Sequence, residues 1–156
     1  MRQHDTTAAP APAATIAGVP TAAAALGGAG TIPFVGLALA SFLPGASGGF
    51  ALQAVYAYAV AILSFLGGVH WGVALTRGTP TFARLGAGVI PSLVGWAAFL
   101  VGGRTGLWLL AAGLAAMLAY DLRETRAGAL PGWYPRLRWP LTLAAAGSLL
   151  LASVNA

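Results

Sequence analysis

The sequence predicts an all-α protein, a polytopic membrane helix bundle of about five transmembrane helices with its amino terminus in the cytoplasm. Three observations carry that reading. Hydrophobic residues make up 58% of the 156-residue chain and charged residues 7%, with a mean hydropathy of +0.81. A soluble domain of that size would expose far more apolar surface than it could bury, so lipid is the solvent for most of the chain. The apolar residues fall into runs of roughly the ~20 residues that cross a bilayer, separated by short links rich in glycine and proline. All 8 basic side chains are arginines, concentrated in some of those links. In a membrane protein such charge marks cytoplasmic loops, so the bilayer is the expected partner and nucleic acid is not. The chain lacks cysteine, which removes disulfides, thiolate catalysis and cysteine-ligated metals.

Residues 1–20, from Met-Arg-Gln-His-Asp into an alanine, proline and threonine tract, have no periodic apolar face and predict a disordered tail in which His4 is solvated. The transmembrane domain then occupies 21–156. Its first apolar run continues too far to be the core of a signal peptide. That first span covers about Ala22 to Leu43 and is kinked at Pro33, which removes an amide donor and frees the carbonyl of Ala29. The second runs from about Ala51 to Leu75, with Tyr56 and Tyr58 placed for the interfacial belt. After the polar link Thr76 to Thr81 and Arg84, the third covers about Leu85 to Gly102. Gly103-Arg104-Thr105 is a tight link, so the third and fourth spans form an antiparallel hairpin, the fourth ending near Tyr120. Leu122 to Arg138 is dense in charge, and Pro131 and Pro135 forbid one continuous helix through it. The fifth span covers about Trp139 to Val154.

The stretch Ser64-Phe65-Leu66-Gly67-Gly68-Val69-His70-Trp71-Gly72 stands apart, because an ionisable residue within a span is costly and marks function or a polar partner on another helix. Ser64, Gly68 and Gly72 recur every fourth residue and, with Gly67, predict a small-residue stripe for close helix packing. At about 1.5 Å per residue, His70 lies about 8 Å from the cytoplasmic end of its span, and Pro91-Ser92 about 10 Å from the same side on the third. The expected partner of a buried, neutral His70 is therefore a polar group of the third or fifth span, first among them Ser92 or a carbonyl freed by Pro91. Trp71, Trp96, Asp121 and Thr142 complete the candidate polar or binding site, with Asp121 alternatively an interfacial cap paired with Arg123 or Arg84.

Orientation follows from the arginines. With the amino terminus inside, Arg2, Arg77, Arg84, Arg123, Arg126, Arg136 and Arg138 are cytoplasmic and only Arg104 is outside. The segment from Asp121 to Arg138 then lies along the cytoplasmic interface. Arg123, Arg126, Arg136 and Arg138 sit on anionic phosphates, and Leu130, Trp133 and Tyr134 dip into the headgroups.

These residues also carry a resemblance. The run from Ser64 to Gly72, Ile90-Pro91-Ser92-Leu93 with Trp96, Pro131-Gly132-Trp133-Tyr134, and Leu137-Arg138-Trp139-Pro140-Leu141-Thr142 resemble domain-of-unknown-function family 3429. Its members are small bacterial inner-membrane proteins related to eukaryotic transmembrane protein 69, and the resemblance covers about Leu26 to Leu151. It implies a multi-span protein of the bacterial inner membrane, or alternatively of the mitochondrial inner membrane, and implies no activity. Two roles follow. One is a structural, assembly or partner-binding role, with a membrane-protein partner or a second copy of the chain. The other is binding or transport of a small hydrophobic molecule in a cytoplasmic-side pocket around His70. One histidine and one carboxylate are thin material for an enzyme. No cofactor is specified, and haem held by two histidines would need two copies of His70.

Overall fold

The computed structural model describes Thr15, Ile16 and residues 18–156; the expectations for His4 and for most of the amino-terminal tail fall outside the described residues. Thr15–Ile16 (β1) and Val19–Pro20 (β2) pair antiparallel. Six α-helices follow: α1 (Thr21–Ala29), α2 (Ile32–Ala40), α3 (Ala46–Thr76), α4 (Phe82–Val101), α5 (Gly103–Arg126) and α6 (Tyr134–Ala152), closed by a 3₁₀ turn at Ser153–Asn155. Taken with α1 and α2 as one broken span, 5 segments among the described residues are long and apolar enough to cross a membrane. The fold is a polytopic membrane helix bundle.

The break in the first span lies at Gly30–Thr31, one step before the expected kink, because Pro33 falls in the first turn of α2, where its missing amide costs nothing. The carbonyls exposed by the break are met locally, as irregular backbone inside a bilayer requires. The Thr31 hydroxyl donates to the Gly28 carbonyl at 2.7 Å, and the Tyr58 hydroxyl reaches the Gly30 carbonyl at 2.9 Å. Tyr58 is thus engaged with the first span rather than with headgroups. Between α4 and α5 the chain reverses at Gly102 and Gly103, both at positive φ (66° and 51°), a geometry that side chains with a Cβ rarely adopt. That turn makes the predicted hairpin, and the Tyr56 hydroxyl fastens it by donating to the Gly103 carbonyl at 2.6 Å.

Helix α3 packs on α4, α5 on α6, and α2 against both α3 and α6, around a core that includes Phe34, Val55, Leu63, Leu107, Leu114 and Leu149. Outward, Leu26, Phe50, Phe65, Trp96, Leu100 and Leu143 are each at least 60% exposed, the apolar rind that lipid tails cover. The predicted small-residue stripe is corrected in part. Gly68 and Gly72 face outward, with nothing that an added Cβ would meet, and Ser64 is only partly buried. Of the four residues expected to pack, Gly67 lies against the backbone of Gly88, so the close approach of α3 and α4 runs through those two glycines.

Both ends of the helices around the charged link extend further than the apolar runs. Helix α5 continues past Tyr120 to Arg126, since Arg123, Glu124 and Thr125 can all remain helical, and it stops ahead of Gly128 at φ 72°. Helix α6 starts at Tyr134 because Pro135 lies within its first turn, where proline is accommodated. The interfacial segment expected from Asp121 to Arg138 is therefore mostly the ends of two spans. Leu130 within it is buried rather than dipped into headgroups.

Candidate binding site at the arginine-rich end

The carboxyl end of α3, the carboxyl end of α5 and the amino end of α6 meet at the same end of the bundle, within one to two helical turns of their termini. There His70 Nε2 lies 2.7 Å from Asp121 Oδ1, and Arg138 Nε donates to Asp121 Oδ2 at 2.6 Å. Carboxylate oxygens accept, so the imidazole donates from Nε2. All three side chains are buried, at 5%, 1% and 6% residue exposure for His70, Asp121 and Arg138. The Tyr120 ring stands edge-on to the imidazole with centroids 4.6 Å apart. One carboxylate thus joins three helices, each contributing one polar side chain.

The geometry corrects several expectations. The partner of His70 Nε2 is Asp121 on the fourth span, not Ser92 or a carbonyl freed by Pro91 on the third. Asp121 is a buried hub rather than an interfacial cap on Arg123 or Arg84. Its helix simply runs past it, so it lies inside the span and not at its end. Arg138 is not a headgroup anchor: it stands one turn into α6, on the face that also carries Thr142 and Ala145. Trp71 and Trp96, 38% and 60% exposed, stand on the outer surface, while Ser92 is partly buried on α4. Arg123, Arg126 and Arg136 remain at the surface of that end.

Beside the triad lies a cleft of about 360 Å³ between the first span, α3 and α6, floored by Leu114 of α5. Its walls are mostly apolar, with Phe34, Ile62, Leu66 and Leu141 prominent, and Trp133 and Tyr134 lie along it at the arginine-rich end. Arg138 and Thr142 also line it. Arg138 Nη2 and Thr142 Oγ1 are buried and have no hydrogen-bond partner among the described residues. Thr142 was expected near the site. Arg138 was missed as a site residue, although the four-residue spacing from Arg138 to Thr142 on one helical face was a usable signal.

Elsewhere the same end is drawn together by Arg77, whose guanidinium donates to the Gly128 carbonyl, linking the α3–α4 and α5–α6 connections. At the opposite end Arg104 Nε donates to the Ser153 carbonyl at 2.9 Å, and Trp108 Nε1 to the Ser153 hydroxyl at 3.1 Å.

Fold and site together define a multi-pass membrane protein with a buried ionic hub beside an apolar cleft. The chain belongs to the family described as protein of unknown function (DUF3429), whose model matches residues 19–154. It is 36% identical to transmembrane protein 69 of Xenopus tropicalis over 141 residues, which is 87% of this chain and 55% of that protein. The chain therefore spans about half the length of that relative. No solved structure matches it.

Proposed function

We infer that the protein is a membrane-embedded binding protein for a lipid-like amphipathic molecule, taken up in the cleft between the first span and α6. The observation that carries this reading is the cleft itself: about 360 Å³, apolar along its length, and bounded at one end by buried polar side chains. Ligand sites are typically concave and mostly apolar, with a few convergent polar groups that fix orientation, and this volume falls in their usual range of about 300–1,000 Å³. A structural or assembly role needs only the His70–Asp121–Arg138 tie. It leaves the cleft, and the two unpartnered polar groups on it, without a purpose.

The distribution of arginine supports an orientation with the amino terminus and the hub in the cytoplasmic half, and the bacterial inner membrane is the location this reading takes. The cleft then runs from the cytoplasmic interface toward the bilayer centre. Ala23, half-buried on α1, lines it near the amino end of that helix. The test is to purify the full chain and its Ala23→Trp variant in a mild detergent and to quantify the organic-solvent extracts by mass spectrometry. The native chain should carry a stoichiometric amphipathic molecule that the variant loses while keeping its melting temperature. Identical extracts from two equally folded proteins would refute the reading.

A further inference from the structure

We propose that the head of the bound molecule is an acidic oxygen group, a carboxylate or a phosphate, on a single apolar chain, and that it is held by Arg138 Nη2 and Thr142 Oγ1. This rests on the cleft reading and goes on to name the chemistry of its occupant.

The two groups converge because of the helix they share. Residues four apart on a helix lie on one face, so Arg138 and Thr142 are neighbours on the wall that α6 presents to the cleft. Arg138 spends its Nε on Asp121 at 2.6 Å, which fixes the plane of the guanidinium. Arg138 lines the cleft, and its Nη2 keeps N–H groups that no described residue accepts. A buried donor without an acceptor is costly, and a guanidinium presents its donors in a planar fork shaped for carboxylate or phosphate oxygens. The Thr142 hydroxyl, also buried and unpartnered, adds a donor one turn deeper. Two unmet donors, one of them on a guanidinium, call for acceptor oxygens, and a charged oxygen is the stronger acceptor for such a group. A second cation or a plain alkyl end would leave them unmet.

Depth agrees with that assignment. Arg138 is about 6 Å from the start of α6 at 1.5 Å per residue, the level at which an amphiphile's head meets the interface. From there the cleft continues past Leu141 to Ala145 and Phe34, walls that offer a chain apolar contact and no further donor besides the Thr31 hydroxyl, which is already bonded to Gly28. Head at the hub and tail toward the bilayer centre is the orientation a lipid acid already has in the leaflet.

The test uses the full chain in phosphatidylcholine nanodiscs with palmitate, hexadecyl phosphate and hexadecanol, which share one chain and differ in the head. Either acid should bind about tenfold tighter than the alcohol, as a charge-assisted hydrogen bond implies. Whichever acid binds more tightly identifies the head as carboxylate or phosphate. Thr142→Val keeps the shape and removes the hydroxyl. It should weaken acid binding about fivefold, leave the alcohol unchanged and preserve the melting temperature. Equal binding of all three probes would overturn the acidic head while leaving the cleft reading intact. Binding of none would overturn both. Thr142→Val binding acids as the native chain does would remove Thr142 from the site and overturn the paired-donor arrangement.

Discussion

Replacing Asp121 by asparagine is the sharpest perturbation of the hub. The change keeps the size of the side chain but removes the charge, and it exchanges one of two acceptor oxygens for an amide donor. Both oxygens are in use, at 2.7 Å to His70 Nε2 and 2.6 Å to Arg138 Nε, in a side chain 1% exposed. The amide can face His70 only if the imidazole switches tautomer so that Nε2 accepts, and in any arrangement a guanidinium in a residue 6% exposed loses its counter-charge. Breaking one side of a buried pair costs about 3–5 kcal/mol. Ordinary interhelical hydrogen bonds in a membrane average only about 0.6 kcal/mol, because the unfolded chain finds other partners there. The charge term thus dominates. His70→Gln, which can still donate to Oδ1, should cost below about 1 kcal/mol, and His70→Leu, which leaves Oδ1 short of a donor, on the order of 1 kcal/mol. Asp121→Asn combined with Arg138→Gln should recover part of the single-mutant loss by removing the orphaned charge. The measurement is an SDS titration of the full chain in mixed micelles, read by circular dichroism. If Asp121→Asn proved no more damaging than His70→Gln, the hub would not be an ion-paired tie, and the reasoning from its burial would fail.

Two further outcomes test packing and orientation. An added Cβ at Gly67 would strike the carbonyl oxygen of Gly88 on the adjacent helix, whereas one at Gly68 meets nothing within 4 Å. Gly67→Ala should therefore lower stability by about 2 kcal/mol and Gly68→Ala by almost nothing, in the same SDS titration. With five spans and an internal amino terminus, reporter fusions after Ala156 and within Thr76 to Thr81 should lie on opposite sides of the membrane; equal signals from both would contradict the orientation.

The class and the number of spans were legible because each span is written locally, as an apolar run of bilayer length. The hub was half legible. A histidine inside such a run announces a partner, and matching depths drew attention to the correct end of the bundle, where Asp121 and Thr142 were both noticed. What failed was the treatment of breakers. Reading Pro131 and Pro135 as breakers, with the charged residues around them, places the start of the last span at Trp139 and leaves Arg138 among headgroup anchors. In the structure Pro135 occupies the first turn and Pro140 lies within the helix. Membrane helices tolerate interior proline where neighbours or local adjustment satisfy the freed carbonyl. Asp121 was misjudged for the related reason that charge was read as the end of a span. Helix α5 instead continues to Arg126, carrying Asp121 inward, with Glu124 also buried. Of the residues expected to pack, Ser64, Gly68 and Gly72 share one face and Gly67 lies on the next, and the sequence does not indicate which of those faces meets another helix. Only the position of Gly88 on α4 decides it.

The arrangement of the hub also bears on why three polar side chains are held there at all. A helix tie alone could be made from apolar residues, and replacing a buried ion pair by well-packed apolar groups is often neutral or stabilising. An arginine inside a span is costly unless its charge is met, and Asp121 meets it through Nε only. Had neutralisation been the whole purpose, a bidentate contact using both Nε and an Nη would have been the stronger geometry. The single contact instead leaves Nη2 without a partner, while His70 donates to the other oxygen of Asp121 and so holds both carboxylate oxygens in use. In this arrangement His70 acts as a positioning residue two contacts away from the cleft. His70→Gln keeps a donor for Oδ1 and so preserves that role at small cost, whereas His70→Leu removes it and would free the carboxylate to turn.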